Sequence, residues 1–598
     1  MSSVQGAVEE VDSDDKLTRK QRRVVIRMAI RGLRPWRRLA VVAAIVILAA
    51  TLARLAGPKL IAWGIDSGIG RGSDGLSVVT WAAVLWVVAS VAGYFLTRSQ
   101  IWLVSYIGEQ YLRDLRVRVF SHIESLDIDF FSRERSGRLV SRMTSDVESL
   151  QHFVSQGLII LISSVLTFFL TLVILFTMSV ELTLVTLAVL PPLIVASIVF
   201  RSYANPAYLR VRERIAGVLN RLQENLTGIR VVQAFGREEI DAGAFEMANE
   251  SHFKAQVRTA RISAIYFPVV EFVGLAGGAV VLGAGAAFAS DGAIGFGVVI
   301  AFVFYLSNLF DPIQQVTQLY NDFQAATAAL HKLHALLDVE AKIQEKPDAV
   351  ELPDGPGRLR IERATFAYEE NRPVIRDVTL DLEPGTRVAL VGQTGAGKST
   401  LVKLMTRFYD PNSGSVRFDD VDLRDATVNS LRKMIGFVPQ EGHVFSGTVW
   451  ENIAYGRQGA SRADAIESCE QLGIAGVISS LPDGIDTEVD EKGGRLSAGQ
   501  RQLIALARAH LADPRILIMD EATSALDPAT AAAIEDAIPT LMKGRTSVII
   551  AHRLATAVRS DLVVLMDDGR IAEMGGHEDL LRHGGPYAEL YRQWSGAN

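Results

Sequence analysis

Cysteine is nearly missing from this chain. Cys469 is the only one among 598 residues, so no intrachain disulfide can form and no multi-cysteine metal site exists. Charge of one sign is scarce too: 61 Lys and Arg stand against 67 Asp and Glu, a net −6 that gives no support to a nucleic-acid polyanion as the main partner. The N-terminus lacks the short apolar core and small-residue cleavage site of a secretory leader. A basic segment leads straight into long apolar runs, which are expected to stay in the mature chain.

Those runs are what the chain has in excess. A hydrophobic share of 49% is high for a soluble protein and a charged share of 21% is high for a purely membrane one, so a membrane part joined to a soluble part reconciles the two. Six stretches reach the length of about 20 helical residues that a hydrocarbon core requires. They lie near Leu39–Trp63, Val78–Val104, Phe153–Met178, Leu182–Phe200, Ile262–Phe288 and Ile294–Phe310. Before them, residues 1–38 read as a cytoplasmic, membrane-facing arm, with ten Lys or Arg and no acidic residue between Lys16 and Arg38.

The outward links Ser67–Ser77, Ser179–Glu181 and Ala289–Ala293 are short and carry one basic residue in all, Arg71. The inward links are long and arginine-rich, as in Arg113–Arg142 and Arg201–Arg230, which places both termini on the cytoplasmic side. Their periodicity, as in Tyr111-Leu112 followed by Leu115 and Val119-Phe120, predicts that the helices continue past the bilayer. Breaks at Asp129-Phe130-Phe131 with Ser136-Gly137, and at Gly228 to Gly236, allow short crosswise helices at the tips, although periodicity alone favours plain hairpins.

These patterns divide the chain into a basic arm (1–38), a six-helix membrane domain (39–335), a Pro- and Gly-rich linker (336–357) and an α/β domain (358–598). In the last, short strand-like runs such as Val388–Val391, Ile435–Val438, Ile516–Met519, Ser547–Ile550 and Leu562–Met566 alternate with helical segments. The fold class expected is therefore multidomain: an all-α six-helix transmembrane domain followed by a phosphate-loop α/β nucleotide-binding domain.

Gly392-Gln393-Thr394-Gly395-Ala396-Gly397-Lys398-Ser399-Thr400 follows the run Val388–Val391 and opens a helix near Ser399. That is a phosphate-binding loop in its required context. The glycines let successive backbone N–H groups converge on phosphate oxygens, the helix N-terminus adds partial positive charge, and Lys398 neutralises the terminal phosphates. Ser399 is placed to ligate magnesium. The run Ile516–Met519 ends in Asp520-Glu521, at the strand end where ligands meet parallel sheets. Beside a phosphate loop, Asp520 is expected to support the magnesium shell and Glu521 to polarise the attacking water.

Leu496-Ser497-Ala498-Gly499-Gln500, twenty residues and more before Asp520, resembles the signature motif of ATP-binding-cassette proteins. Further positions match in family order. Gln440 in Phe437-Val438-Pro439-Gln440 is similar to the lever-loop glutamine, Ser524-Ala525-Leu526-Asp527 to the dimer-contact loop, His552 to the switch histidine, and Tyr368, on the first strand, to the aromatic that stacks on adenine. The resemblance implies ATP and Mg2+ as ligands. Glu521, His552 and Gln440 would act in hydrolysis, Ser399, Gln440 and Asp520 would hold the metal, and Tyr368, the loop 392–400, Ser497, Gly499, Gln500 and Asp520 would bind nucleotide.

In this family the signature of one nucleotide domain completes the site on its partner, so a second half-transporter is implied, either an identical copy or a related chain. The order of domains resembles the bacterial export form with the type IV fold. It implies a multi-pass protein of the cytoplasmic membrane that exports or flips a hydrophobic or amphipathic compound such as a drug or lipid. Import through the same fold, or an ATP-gated channel or regulator, stands as the alternative. Ala498 departs from the commonest signature, which has glycine there; either it is neutral, or it marks a chain that pairs with a different half. Arg54, Arg98 and Glu271 are charged residues inside the spans that are costly in lipid unless they face a cavity or a partner, and Glu271, after Pro268, is the one of them best placed to touch substrate or a neighbouring helix.

Overall fold

The computed structural model describes residues 34–69, 73–369, 371–490, 493–520, 527–551 and 554–596. The expected basic arm therefore lies outside the described residues up to residue 33. The chain forms two compact units: one runs to Ser125 and resumes over Arg135–Glu340, the other joins Leu126–Glu134 to the chain from Ala341 onward.

Among the described residues of the first unit, six helices are long and apolar enough to cross a membrane: Arg34–Gly68, Gly75–Ser125, Ser136–Met178, Val180–Thr227, Glu238–Ser290 and Phe296–Val316. The last continues to Leu337. The fifth, at 53 residues, is far longer than a span requires, about 80 Å at the rise of an α-helix, so the inward links are helical extensions. Burial of the most apolar windows is only 11% to 50%, and such continuous apolar surface needs lipid or protein around it.

Polar contacts between helices fix the unit where apolar packing alone would slide. Tyr305, fully buried, donates its hydroxyl to the Leu55 carbonyl at 2.5 Å and ties the sixth helix to the first. Tyr266 shares a hydrogen bond with Ser197 at 3.0 Å and stacks on Phe200 at 4.0 Å, joining the fifth helix to the fourth. Asp66 accepts from the backbone N–H groups of Gly297 (2.6 Å) and Val298 (3.1 Å), which have no partner inside their own helix.

Both long links contain short helices, Ile128–Arg133 and Ile229–Ala234, where periodicity favoured plain hairpins. Asp127 starts the first by accepting from the Phe130 N–H at 3.1 Å. Segment 336–357 is less of a linker than its composition predicts. The last membrane-unit helix occupies it to Leu337, and Val350 and Leu352 donate backbone hydrogen bonds to Asp425 (2.8 Å) and Ser430 (3.1 Å).

The second unit holds two main sheets. Strands β1 (Leu359–Phe366), β2 (Ile375–Leu382), β4 (Ser413–Phe418) and β5 (Val421–Asp422) form an antiparallel sheet in the order β2-β1-β4-β5. The other sheet takes β3 (Arg387–Val391), β6 (Ile435–Val438), β9 (Ile516–Asp520), β10 (Thr546–Ile550), β11 (Leu562–Asp567) and β12 (Arg570–Gly575) in the order β12-β11-β3-β10-β9-β6, parallel except for β12. A two-residue pair, β7 (Gly447–Thr448) with β8 (Glu488–Val489), completes the set.

Alternation along β9 explains how one strand serves two cores. Ile516 and Ile518 face the core shared with the antiparallel sheet, whereas Leu517 and Met519 face a helical core with Leu503, Ile504 and Leu506. Cys469 lies in that second core, 2% exposed, and burial pushes its thiol up to about 11, which makes it an inert packing residue.

Candidate active site

Register in the parallel sheet brings the chemistry to one edge. Leu390 on β3 stands level with Ile550 on β10, and Ile550 with Asp520 on β9. The phosphate loop therefore leaves β3 level with the carboxylate that ends β9, one strand away across β10, and Gln440 follows β6 at the same carboxyl edge.

The loop turns where only glycine fits. Gly392 has φ 141° and an added Cβ would stand 2.2 Å from the Met566 carbonyl oxygen; Gly397 has φ 101° and opens the helix Lys398–Met405. Lys398 is buried and donates from Nζ to the carbonyls of Gly392 (2.7 Å) and Gln393 (3.0 Å). Burial holds its ammonium below the usual lysine range, with the Asp520 carboxylate pulling in the opposite direction. The loop is thus closed on a desolvated cation, the arrangement that gains most from an incoming phosphate.

Ser399, Gln440 and Asp520 supply a hydroxyl, an amide oxygen and one carboxylate, the first two exposed and the third half-buried. This all-oxygen set suits a hard cation that keeps water and phosphate ligands. Among the described residues no cluster of three or more His, Cys, Asp or Glu forms a protein-only cage.

Tyr368 stands two residues beyond β1, not on the strand as the sequence suggests, and its hydroxyl lies 3.1 Å from Thr400 Oγ1 on the phosphate-loop helix. Ser497 begins the helix Ala498–Leu511 with a reciprocal cap: its Oγ accepts from the Gln500 N–H at 3.2 Å, and Gln500 Oε1 accepts from the Ser497 N–H at 2.8 Å. Ser497 and Ala498 are exposed while Gly499 is buried, so within one chain the Ala498 methyl meets solvent. Glu521, Ser524-Ala525-Leu526 and His552 lie outside the described residues.

Two features of the site have no sequence signal of their own. Arg508 Nε donates to the Asn452 carbonyl at 2.9 Å and Nη1 to the His443 carbonyl at 3.0 Å, tying the signature helix to the loop that follows Gln440 and to the helix Val449–Ala454 beyond it. Tyr409 stands edge-on to Tyr368 with ring centres 5.2 Å apart. In the first unit, the first two helices enclose a groove of about 1040 Å³ lined by Arg54, Arg98, Trp86, Tyr94 and Trp102. Arg54 donates to Thr167 there at 2.8 Å.

Known proteins agree with these parts. Residues 40–313 match the family model of the ABC transporter transmembrane region and residues 375–524 that of the ABC transporter. The chain is 36% identical over 549 residues to the uncharacterized ABC transporter ATP-binding protein YknV of Bacillus subtilis, covering 91% of this chain and 90% of that one. It is 34% identical over 546 residues to the ATP-dependent lipid A-core flippase of Syntrophus aciditrophicus, with 91% and 89% covered. The multidrug efflux ATP-binding/permease protein Rv0194 of Mycobacterium tuberculosis is 36% identical over 94% of this chain, which spans about half, 47%, of that protein. Among solved structures, a bacterial Atm1-family ABC exporter with ATP bound superposes with a TM-score of 0.77 at 28% identity, covering 93% of this chain and 98% of that one. A membrane unit of six apolar helices followed by a cassette with a closed phosphate loop and a capped signature helix has one reading: the chain belongs to the ABC transporter family, as a multi-pass half-transporter of the exporter type whose transport is coupled to ATP hydrolysis.

Proposed function

We propose that the chain is half of a dimeric pump that moves an amphipathic or hydrophobic compound, a lipid or drug-like molecule, out of the cytoplasmic leaflet or the cytoplasm at the expense of ATP. The observation that carries it is the phosphate loop closed on buried Lys398 at the sheet edge shared with Asp520, in the same chain as six apolar helices. Ser497 and Gly499, at the exposed start of the signature helix, serve the site of a second half-transporter, and Tyr368 carries the adenine. Both termini and the nucleotide-binding unit lie on the cytoplasmic side, in accord with the arginine-rich inward links. The groove with Arg54, Arg98 and aromatic walls suits a cargo with one polar end.

Ser399, Gln440 and Asp520 would hold Mg2+, which when bound neutralises charge on the terminal phosphates. Glu521 orients and polarises the attacking water, and His552 contacts the phosphate. Binding of ATP closes two nucleotide units and hydrolysis releases them, a population shift between two states.

Proteoliposomes containing the chain, alone or with a co-expressed half, test this with lipid and dye substrates. ATP-dependent movement that stops on chelating Mg2+ and in Glu521→Gln, with nucleotide still bound, is the expected result. Movement that is unaffected by either change overturns the reading.

A further inference from the structure

Arg98 on the second membrane helix and Glu271 on the fifth are both exposed, and among the described residues neither has a hydrogen bond or an ion pair. Each has apolar neighbours one turn away on its own face. Tyr94 and Trp102 stand four residues to either side of Arg98, and Phe267 and Leu275 to either side of Glu271, all four exposed. A lone charge on an apolar helix face within the hydrocarbon layer is costly unless an opposite charge or a polar cavity meets it.

The two charges lie at one depth, which follows from the contacts between neighbouring helices. Gly64 faces Ala82, Gly57 faces Trp86 and Gly93 faces Ala53, so the first two helices run antiparallel and Arg98 falls level with about Leu48. Tyr305 donates to the Leu55 carbonyl and Asp66 accepts from the Gly297 N–H, which sets the sixth helix against the first. Gly285 faces Val299, Gly278 faces Leu306 and Gly274 faces Phe310, which sets the fifth helix against the sixth. Followed inward, that register puts Glu271 level with Ile313, and Ile313 level with the part of the first helix that contains Leu48. Arg98 and Glu271 therefore agree in depth to within about one helical turn.

We propose that Glu271 forms an ion pair with Arg98 of the partner subunit, a second copy of this chain, so that one copy's fifth helix closes the open side of the groove between the other's first two helices. The inference rests on the reading of the chain as half of a dimer. Two copies in one membrane are related by an axis along its normal, an operation that keeps every residue at its depth, so charges meet across it only at a common depth. Apolar surface is available on both sides: the most apolar windows of the second and fifth helices are 11% and 22% buried within one chain. Each face is charged at one turn and apolar at the turns above and below, and pairing takes both charges out of lipid at once. Because Arg98 lines the groove, the wall of the groove is complete only in the dimer, and Arg54, held by Thr167, is left as its cation for cargo. Both members of the pair are on this chain, which favours two identical copies over two different ones.

The experiment uses two differently tagged forms of the full chain, co-expressed and recovered in nanodiscs through both tags. Arg98→Glu in one copy and Glu271→Arg in the other leave opposite charges at both contacts when the pair lies between copies, and like charges at both when it lies within one chain. With one substitution in both copies, recovery of the dimer and its ATPase rate are expected to fall by about tenfold or more; the mixed dimer is expected to regain most of both. No regain on mixing, or full activity with either substitution alone, overturns the pair. Loss of anionic-lipid transport in Arg98→Glu without regain on mixing overturns it too, and assigns Arg98 to the cargo. If the charge variants do not accumulate, Arg98→Cys in one copy and Glu271→Cys in the other give the same decision. Cys469 is buried and its thiol stays protonated, so a short bismaleimide is expected to join the two tags through the new thiols. No link, or an equal link from Trp81→Cys about four turns away on the second helix, overturns the pair. A parent never recovered through both tags overturns the dimer reading and the pair with it, whereas a linked parent that moves no substrate overturns the pump reading and supports the pair.

Discussion

Lys398 donates its ammonium to the carbonyl oxygen of Gly392 at 2.7 Å, so the phosphate loop is closed by its own cation. Phosphate oxygens would replace carbonyl oxygens as acceptors, exchanging a neutral partner for a charged one. Lys398→Ala is expected to lower ATP affinity and to reduce turnover by about 100-fold or more. Equilibrium nucleotide binding and an ATPase assay on the purified chain check this; normal affinity removes the loop from the site.

Ser497 caps the signature helix, and in the proposed dimer it would also face a partner's phosphate. As a cap it stabilises the signature helix, and Ser497→Ala is expected to cost about 1 kcal/mol of stability. Aspartate caps equally well but sets a negative charge where a partner's phosphate is to bind, so Ser497→Asp should melt near the parental temperature and lose ATPase activity. Thermal unfolding beside hydrolysis rates distinguishes them; an active Ser497→Asp would confine the residue to helix capping.

Asp66 satisfies two backbone amides at the start of the sixth membrane helix from more than two hundred residues away. Asp66→Ala leaves both amides unpaired at a helix end and is expected to destabilise the membrane unit by about 1–3 kcal/mol. Asp66→Asn, with one accepting oxygen, should fall between. A lower denaturation midpoint in detergent, in that order, is the measurement.

His510 provides a pH signature. Its Nδ1 lies 3.0 Å from Ser468 Oγ, whose own proton goes to the Ala507 carbonyl at 3.1 Å, so the histidine donates from Nδ1. Burial first, then Arg545, depress its pKa below 6.5. The folded state favours the neutral ring. That contribution is complete above pH 6.5, and it is lost as the pH falls below 6.5, because the unfolded chain takes up a proton that the folded chain resists. Melting temperatures at about pH 7.5 and about pH 5.5 should differ more for the parent than for His510→Gln.

The phosphate loop was legible because its function is local: nine consecutive residues bend the backbone and start a helix. The six spans were legible for the same reason, since apolar length is a property of a segment. Tyr368 is a site residue by resemblance alone, and its place beyond β1 was not legible, because the strand ends two residues earlier at Phe366. Tyr409, Arg508 and Lys342 gave no signal. An aromatic in a loop, an arginine on a helix and a lysine after a helix are ordinary until their partners are known.

Sequence alone determined the division into a membrane part and a cassette, the phosphate loop and the signature motif, because each depends on neighbours within a few turns of chain. Tertiary structure decided that Leu126–Glu134 joins the nucleotide-binding unit, that Asp129 is buried between Arg133 and Lys342, and that Asp66 caps a helix 231 residues onward. Such contacts are chosen by which surfaces exclude water together and which buried polar groups find a partner. No window along the chain contains both halves of them.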